Sequence, residues 1–86
     1  MTQPFQTQQQ IKTRTSVLVF LKGTAAPLVL YVDNPVELYD ELNQLLKTPN
    51  MPKVVEKDTQ GPIKRVTFIS NQVAALAMQE EQYIQQ

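Results

Sequence analysis

The sequence predicts an α+β fold in which one amphipathic helix packs on one face of a small antiparallel or mixed sheet. Three observations predict this class: short apolar runs rich in β-branched residues, turn residues between these runs, and one stretch with helical periodicity. The predicted order is strand, strand, helix, strand, strand, and a last segment that is either strand or helix. The 86 residues suffice for one small domain, which we expect over residues 11–86.

The helix is predicted over Pro35–Lys47. Asn34 is a good N-cap residue, and Pro35 suits the first helical position because its missing N–H has no partner there in any case. Glu37 follows three residues after the cap, so a capping box is also expected. Four leucines recur at i, i+4, i+7 and i+8, which places them on one helix face: Leu38, Leu42, Leu45 and Leu46.

Two strands precede the helix and two follow it. Ile11–Lys22 and Leu28–Val32 are apolar runs on either side of a loop of hairpin length, so we expect two adjacent antiparallel strands. After the helix, Lys53–Lys57 and Ile63–Ile69 are predicted as the third and fourth strands, with a turn at 58–62 between them.

The last segment, Val73–Met78, is ambiguous. Its alanine, leucine and methionine residues, like the glutamine and glutamate residues that follow, favour a helix. A helix here would be apolar all round for over a turn and then polar all round, which is a poor amphipathic pattern. Six apolar residues bounded by a turn and by charge suit a central strand buried on both faces, and we slightly favour this interpretation.

Composition excludes several kinds of chemistry. The chain has no cysteine and no histidine, so it lacks thiolate chemistry and the commonest general base and metal ligand. Its two glycines lie far apart, which excludes a glycine-rich phosphate loop. We therefore expect no enzyme activity, no cofactor and no small-molecule ligand. The one local group of carboxylates is better explained by the helix dipole than by a metal site: Asp33, Glu37, Asp40 and Glu41.

The ends of the chain and its charge suggest a location. Met1–Gln10 is polar and glutamine-rich, which predicts a disordered tail. No secretory signal is recognisable, and no apolar run approaches the ~20 residues needed to span a bilayer. We expect a cytoplasmic protein without membrane contact. The net charge of zero gives no general attraction to nucleic acid.

The preferred function is a non-catalytic interaction module that forms a homodimer or binds another protein. The first two strands are apolar on both faces, whereas one helix covers only one face of a sheet. The candidate dimer face therefore lies opposite the helix, and we take it as the face of Leu18, Phe20, Val29 and Tyr31; alternation alone leaves open which of the two sheet faces the helix covers.

An alternative function is weak binding of RNA or single-stranded DNA by the hairpin over residues 53–65. Basic side chains gather there, and a nearby aromatic ring of Phe68 or Tyr31 would stack a base. Lysine is also a common guard on edge strands, which argues for a structural role instead. The candidate contact residues are Lys53, Lys57, Lys64 and Arg65.

Overall fold

The computed structural model describes residues 10–85, with side chains described for residues 11–84, and it has the predicted α+β fold. The fold class and the order of the elements are confirmed. Met1–Gln9, the bulk of the predicted tail, lies outside the described residues, and the first strand begins at Gln10. The elements are β1 (Gln10–Leu21), β2 (Leu28–Leu30), α1 (Pro35–Leu46), β3 (Val54–Asp58), β4 (Arg65–Ile69), a 3-10 turn (Ser70–Gln72) and β5 (Val73–Gln85).

The strands form two antiparallel sheets. One has the order β2-β1-β5, and the other is the hairpin of β3 and β4. A bridge between Tyr31 and Gln60 joins them, since the backbone N–H of Gln60 donates to the carbonyl of Tyr31 at 2.7 Å. The expected antiparallel pairing of the first two strands is confirmed, with Val17 opposite Leu30 and Val19 opposite Leu28.

Helix α1 packs on the face of the three-stranded sheet that carries Val17 and Val19. Both valines are fully buried, and the helix contributes Leu38 and Leu42, as the leucine spacing predicts. The second sheet closes this core from the side with one residue of each strand. The complete core cluster is Val17, Val19, Leu30, Leu38, Leu42, Val55, Phe68 and Val73.

The predicted side-chain cap of α1 is wrong, although the cap position is right. Asn34 is the N-cap residue, but its side chain makes no capping hydrogen bond. Its ψ of 77° departs from the extended backbone from which an N-cap side chain normally reaches the first-turn N–H groups. The Asn34 carbonyl still accepts the first helical hydrogen bond from Leu38, at 3.1 Å. The capping box predicted with Glu37 is likewise not seen at this cap.

The last segment is a strand, as slightly favoured, but it is neither short nor central. β5 continues past Met78 to Gln85 and lies at the edge of its sheet. Ala74 and Ala75 are exposed, so the predicted burial on both faces is wrong. β1 is 12 residues long, and β2 pairs only with residues 17–19 of it. The first half of β1, which β2 does not reach, pairs with the polar residues of β5.

These paired segments form a two-stranded ribbon, residues 10–16 with residues 79–85, that continues past the end of β2. Polar side chains are accommodated there with little loss of hydration, because both faces of the ribbon are largely exposed to water. Pairing with β1 therefore overrides the helix propensity of the glutamine- and glutamate-rich sequence. Within the described range, no helix combines the length and the apolar character needed to cross a membrane.

Candidate functional site

The four side chains predicted for the dimer face lie together on the sheet face opposite α1. Leu18 pairs with both Val29 and Ala77, and Phe20 pairs with Ala75. Directly paired residues of an antiparallel sheet point to the same side, and they alternate along each strand with the residues that face the helix. We call this surface the outer sheet face; it comprises Leu18, Phe20, Val29, Tyr31, Ala75 and Ala77.

The outer sheet face does not contribute to the core of the described residues. Leu18, Phe20, Val29 and Tyr31 are all half-buried, and none belongs to the core cluster or to the side chains packed against it. Sequence alternation separates these residues from Val17 and Val19, and the full burial of the two valines shows that the helix covers the valine face. The structure thus brings the four predicted residues together on one surface.

A polar network adjoins this surface where the ribbon begins. The Glu81 carboxylate accepts hydrogen bonds from the Tyr31 hydroxyl at 2.9 Å, from the Ser16 hydroxyl at 3.2 Å and from the Gln79 amide at 3.4 Å. Arg14 Nε lies 3.7 Å from the same carboxylate. Ser16 is fully buried, so its hydroxyl depends on this acceptor. We call these five side chains the Glu81 cluster.

Tyr31 is fixed from several sides. The guanidinium carbon of Arg14 lies 4.0 Å from the centre of its ring, close enough for a cation–π interaction. The hydrogen bond to Glu81, followed by partial burial, raises the pKa of the Tyr31 hydroxyl above its ordinary value. On another side, a Cβ atom at Gly61 would lie 2.9 Å from Tyr31 Cδ2. Tyr31 is therefore a rigid boundary of the outer sheet face rather than an adaptable contact.

The Glu81 cluster could not be found from the sequence, because it joins Arg14 and Ser16 of β1 to Gln79 and Glu81 of β5, and the sequence does not predict the pairing of these two strands. The one available signal is the position of Glu81, a charged residue on the same face as the alanines of a strand. Only the pairing of Arg14 with Glu81 reveals the partner of that charge.

Two cavities flank Tyr31. One of about 320 Å³ borders the outer sheet face and is lined by Arg14, Pro27, Val29, Tyr31, Pro62 and Ile63. The other, of about 430 Å³, lies where β2 ends and the edge of β1 opens. Its lining residues are Thr13, Arg14, Thr15, Tyr31, Val32, Asp33, Pro35, Gln60, Gly61 and Tyr83.

The structure does not bring the four basic candidates together. Lys57 Nζ lies 2.9 Å from Glu41 on α1, whereas Arg65 Nε lies 2.8 Å from Asp58 in the exposed part of the hairpin. The Asp58 carboxylate raises the pKa of the Arg65 guanidinium. Lys53 and Lys64 are exposed.

The two aromatic rings considered for base stacking are both engaged elsewhere. Phe68 is 8% exposed in the core, and Tyr31 is held by the Glu81 cluster on the other sheet. The ion pairs and the aromatic positions therefore give the hairpin little of the surface that stacking and phosphate contacts require.

The acidic residues near the start of α1 divide between a cavity and the helix surface. Asp33, Glu37 and Glu41 line a cavity of about 330 Å³ together with Asp58, and the Lys57 ammonium also lines it. Within the described residues, no three acidic side chains are placed to hold a metal ion.

The outward side of the β3–β4 hairpin also carries apolar side chains. Val54 is 67% exposed and pairs directly with Ile69, which is 47% exposed. Sequence alternation places Ile69 on this side of the fourth strand, away from Phe68. These two residues form a smaller apolar surface on the other sheet and serve as a control for the outer sheet face.

Comparison of the chain with protein-family models, with curated proteins and with solved structures found no match.

Proposed function

We propose that the protein is a non-catalytic interaction module that forms a homodimer by packing the outer sheet faces of two copies together. The observation that carries this proposal is the placement of Leu18, Phe20 and Val29 on one sheet face that contributes nothing to the core of the described residues. The other face of the same strands carries the buried residues Val17, Val19 and Leu30, against which α1 packs.

The physical support is the area that association would remove from water. A contiguous apolar surface that the core does not use commonly marks an interface. At ~25 cal/mol per Å², each ~100 Å² of apolar area removed from water contributes about 2.5 kcal/mol, from which the cost of association must be subtracted. A two-fold dimer is the simplest arrangement that covers the surface on both copies at once.

The surroundings of the surface also suit an interface. Stable interfaces have an apolar centre and a polar rim. Here Leu18, paired with both Val29 and Ala77, lies in the middle of the surface, Phe20 lies at one end, and Arg14 and Glu81 lie at the other. The cavity of about 320 Å³ beside Val29 offers a second copy a recess for an apolar side chain. We expect this association to take place in the cytoplasm, the location that the sequence analysis favours.

Light scattering coupled to size exclusion tests the proposal. Wild-type protein at micromolar concentration should have a mass of at least twice 9.8 kDa. Phe20→Lys should halve that mass, because a lysine within the interface must be desolvated. The control Ile69→Lys changes an exposed apolar residue on the other sheet and should leave the mass unchanged.

Two results would reject this function. A wild-type mass of one chain at all concentrations would show that the outer sheet face stays uncovered. A salt-dependent gel shift with single-stranded oligonucleotides, weakened by Lys53→Ala or Lys64→Ala, would instead favour nucleic-acid binding.

A further inference from the structure

The outer edge of β5 is a long, straight strand edge. β5 has 13 residues and pairs with β1 on one side. Within residues 10–85, no strand pairs with its other side. From Ala75 to Gln85 the pairing with β1 runs in one unbroken register, so no bulge bends this part of the strand. Every second residue therefore directs its backbone N–H and C=O away from the sheet.

From Ala75 onward, this edge has no bulge, no lysine and no proline, three features that usually prevent strand pairing. Natural edge strands are commonly short, bulged, or guarded by lysine and proline. Residues 73–85 contain no lysine, no arginine and no proline. Small side chains at Ala74, Ala75 and Ala77 allow another strand to approach closely. The only charges are those of Glu80 and Glu81, in the middle of the strand.

We propose that the outer edge of β5 pairs with the same edge of a second copy, in antiparallel orientation, to form one continuous six-stranded sheet with the order β2-β1-β5-β5-β1-β2. The contacts are backbone hydrogen bonds between strands, a recognised mode of association at exposed edges. This inference goes beyond the proposed function, because it uses the backbone edge of β5 and not the side chains of the outer sheet face.

The charges of β5 select one register for pairing with a second copy. Because the extra residue Ala74 places Val73 on the helix side of the sheet, regular pairing begins at Ala75. The register centred on Gln79 then pairs residues 75–83, and it places Glu80 opposite Met78 of the second copy and Glu81 opposite Ala77. Registers centred on Glu80 or Glu81 would place like charges directly opposite each other, which is unfavourable. The register centred on Gln79 is therefore favoured, although one centred on Glu80 would pair more residues.

Antiparallel pairing of identical strands has a further geometric consequence. Its two-fold axis is perpendicular to the sheet, so both copies of α1 lie on one side of the six-stranded sheet. The two outer sheet faces lie on the other side and extend each other. When both interfaces form, two such sheets pack face to face, and the expected mass is four times 9.8 kDa.

Amide hydrogen exchange at two protein concentrations tests the inference directly. In the monomer, the outward N–H groups of β5 exchange freely, whereas the inward groups are protected by β1. We expect alternate amides between Ala75 and Tyr83 to gain protection as the concentration rises. If these outward amides exchange freely at the concentration of highest mass, the inference is refuted.

Two neighbouring proline variants provide a matched pair for the mass measurement. Adjacent residues of a strand direct their N–H groups to opposite sides, so only one of Gln79→Pro and Glu80→Pro removes an N–H that bonds to β1. That variant should have a lowered melting temperature. The other should keep the melting temperature of the dilute wild type and halve the wild-type mass. An unchanged mass for the stable variant would contradict edge pairing.

The Phe20→Lys variant separates this inference from the proposed function. If both are right, the variant loses half its mass and keeps the concentration-dependent protection of β5. A mass unchanged by Phe20→Lys, with β5 protected, refutes the proposed function alone. A halved mass with free exchange along β5 refutes edge pairing alone, and a monomeric wild type with free exchange refutes both.

Discussion

Truncation of Leu42 to alanine should be among the most damaging single changes in the helix. Leu42 is 1% exposed and lies in the middle of the apolar face of α1, in the core cluster that both sheets share. The core of an 86-residue protein is small, so one large buried side chain is a substantial part of it.

The expected cost follows from the burial. Leu42→Ala removes about three buried carbon groups at ~0.8 kcal/mol each, or about 2.4 kcal/mol of transfer free energy. A residual cavity of ~60 Å³ adds about 1.5 kcal/mol at ~24 cal/mol per Å³. The sum of about 4 kcal/mol is a large share of the ~5–15 kcal/mol by which small proteins are stable. It corresponds to a fall in melting temperature of roughly 15–30 °C.

Urea denaturation at one fixed, low protein concentration measures this change, since association would raise the apparent stability. Asn34→Ala is the matched control at the start of the same helix. Because the Asn34 side chain makes no capping hydrogen bond, its removal should cost less than about 0.5 kcal/mol. A Leu42→Ala cost below about 1 kcal/mol, or a larger cost for Asn34→Ala, would refute the packing of this helix face.

Three further predictions concern the sheet side of the molecule. Gly61→Ala should lower the free energy of unfolding more than Gly23→Ala in urea denaturation: both glycines have positive φ, but only at Gly61 does a Cβ meet the Tyr31 ring. Tyrosinate absorbance should show Tyr31 titrating above its ordinary pKa, and Glu81→Gln should lower that pKa. The stability linked to this shift is present when the pH is below the ordinary pKa, and it is lost as the pH rises through the raised pKa. Ser70→Ala should cost about 1–3 kcal/mol by thermal denaturation, because its buried hydroxyl accepts the backbone N–H of the residue before β3 at 2.8 Å.

Features governed by local sequence periodicity could be predicted. The leucine spacing and the residues that flank it located α1 to within a residue of its ends. Alternation in β1 separated its two faces, but only the structure shows which of them the helix covers. The same alternation placed Phe20 with Leu18, and the hairpin of β1 and β2 joined Val29 to them. These relations depend on residues close together in the chain.

Features that depend on distant pairing could not be predicted. The conformation of β5 is decided by β1, whose 12 residues pair with 12 of the 13 residues of β5. The sequence around Glu80 favours a helix by propensity and has no strand pattern. Only its pairing with β1 makes it a strand. The Glu81 cluster depends on the same pairing. The missing cap at Asn34 has a different cause, because side-chain identity does not fix the backbone angle that the cap requires.

The pairing of β1 with β5 has a consequence for the order of folding. The paired residues are separated by 52 positions at Leu21–Val73 and by 75 at Gln10–Gln85, so this contact closes a loop that contains every other element. Such non-local contacts slow folding, because chain entropy must be lost before they form. The β1–β2 hairpin and α1 are local and should form first. Until β5 arrives, the full length of β1 has an unpaired edge, and during this interval a folding chain is most exposed to pairing with the wrong strand.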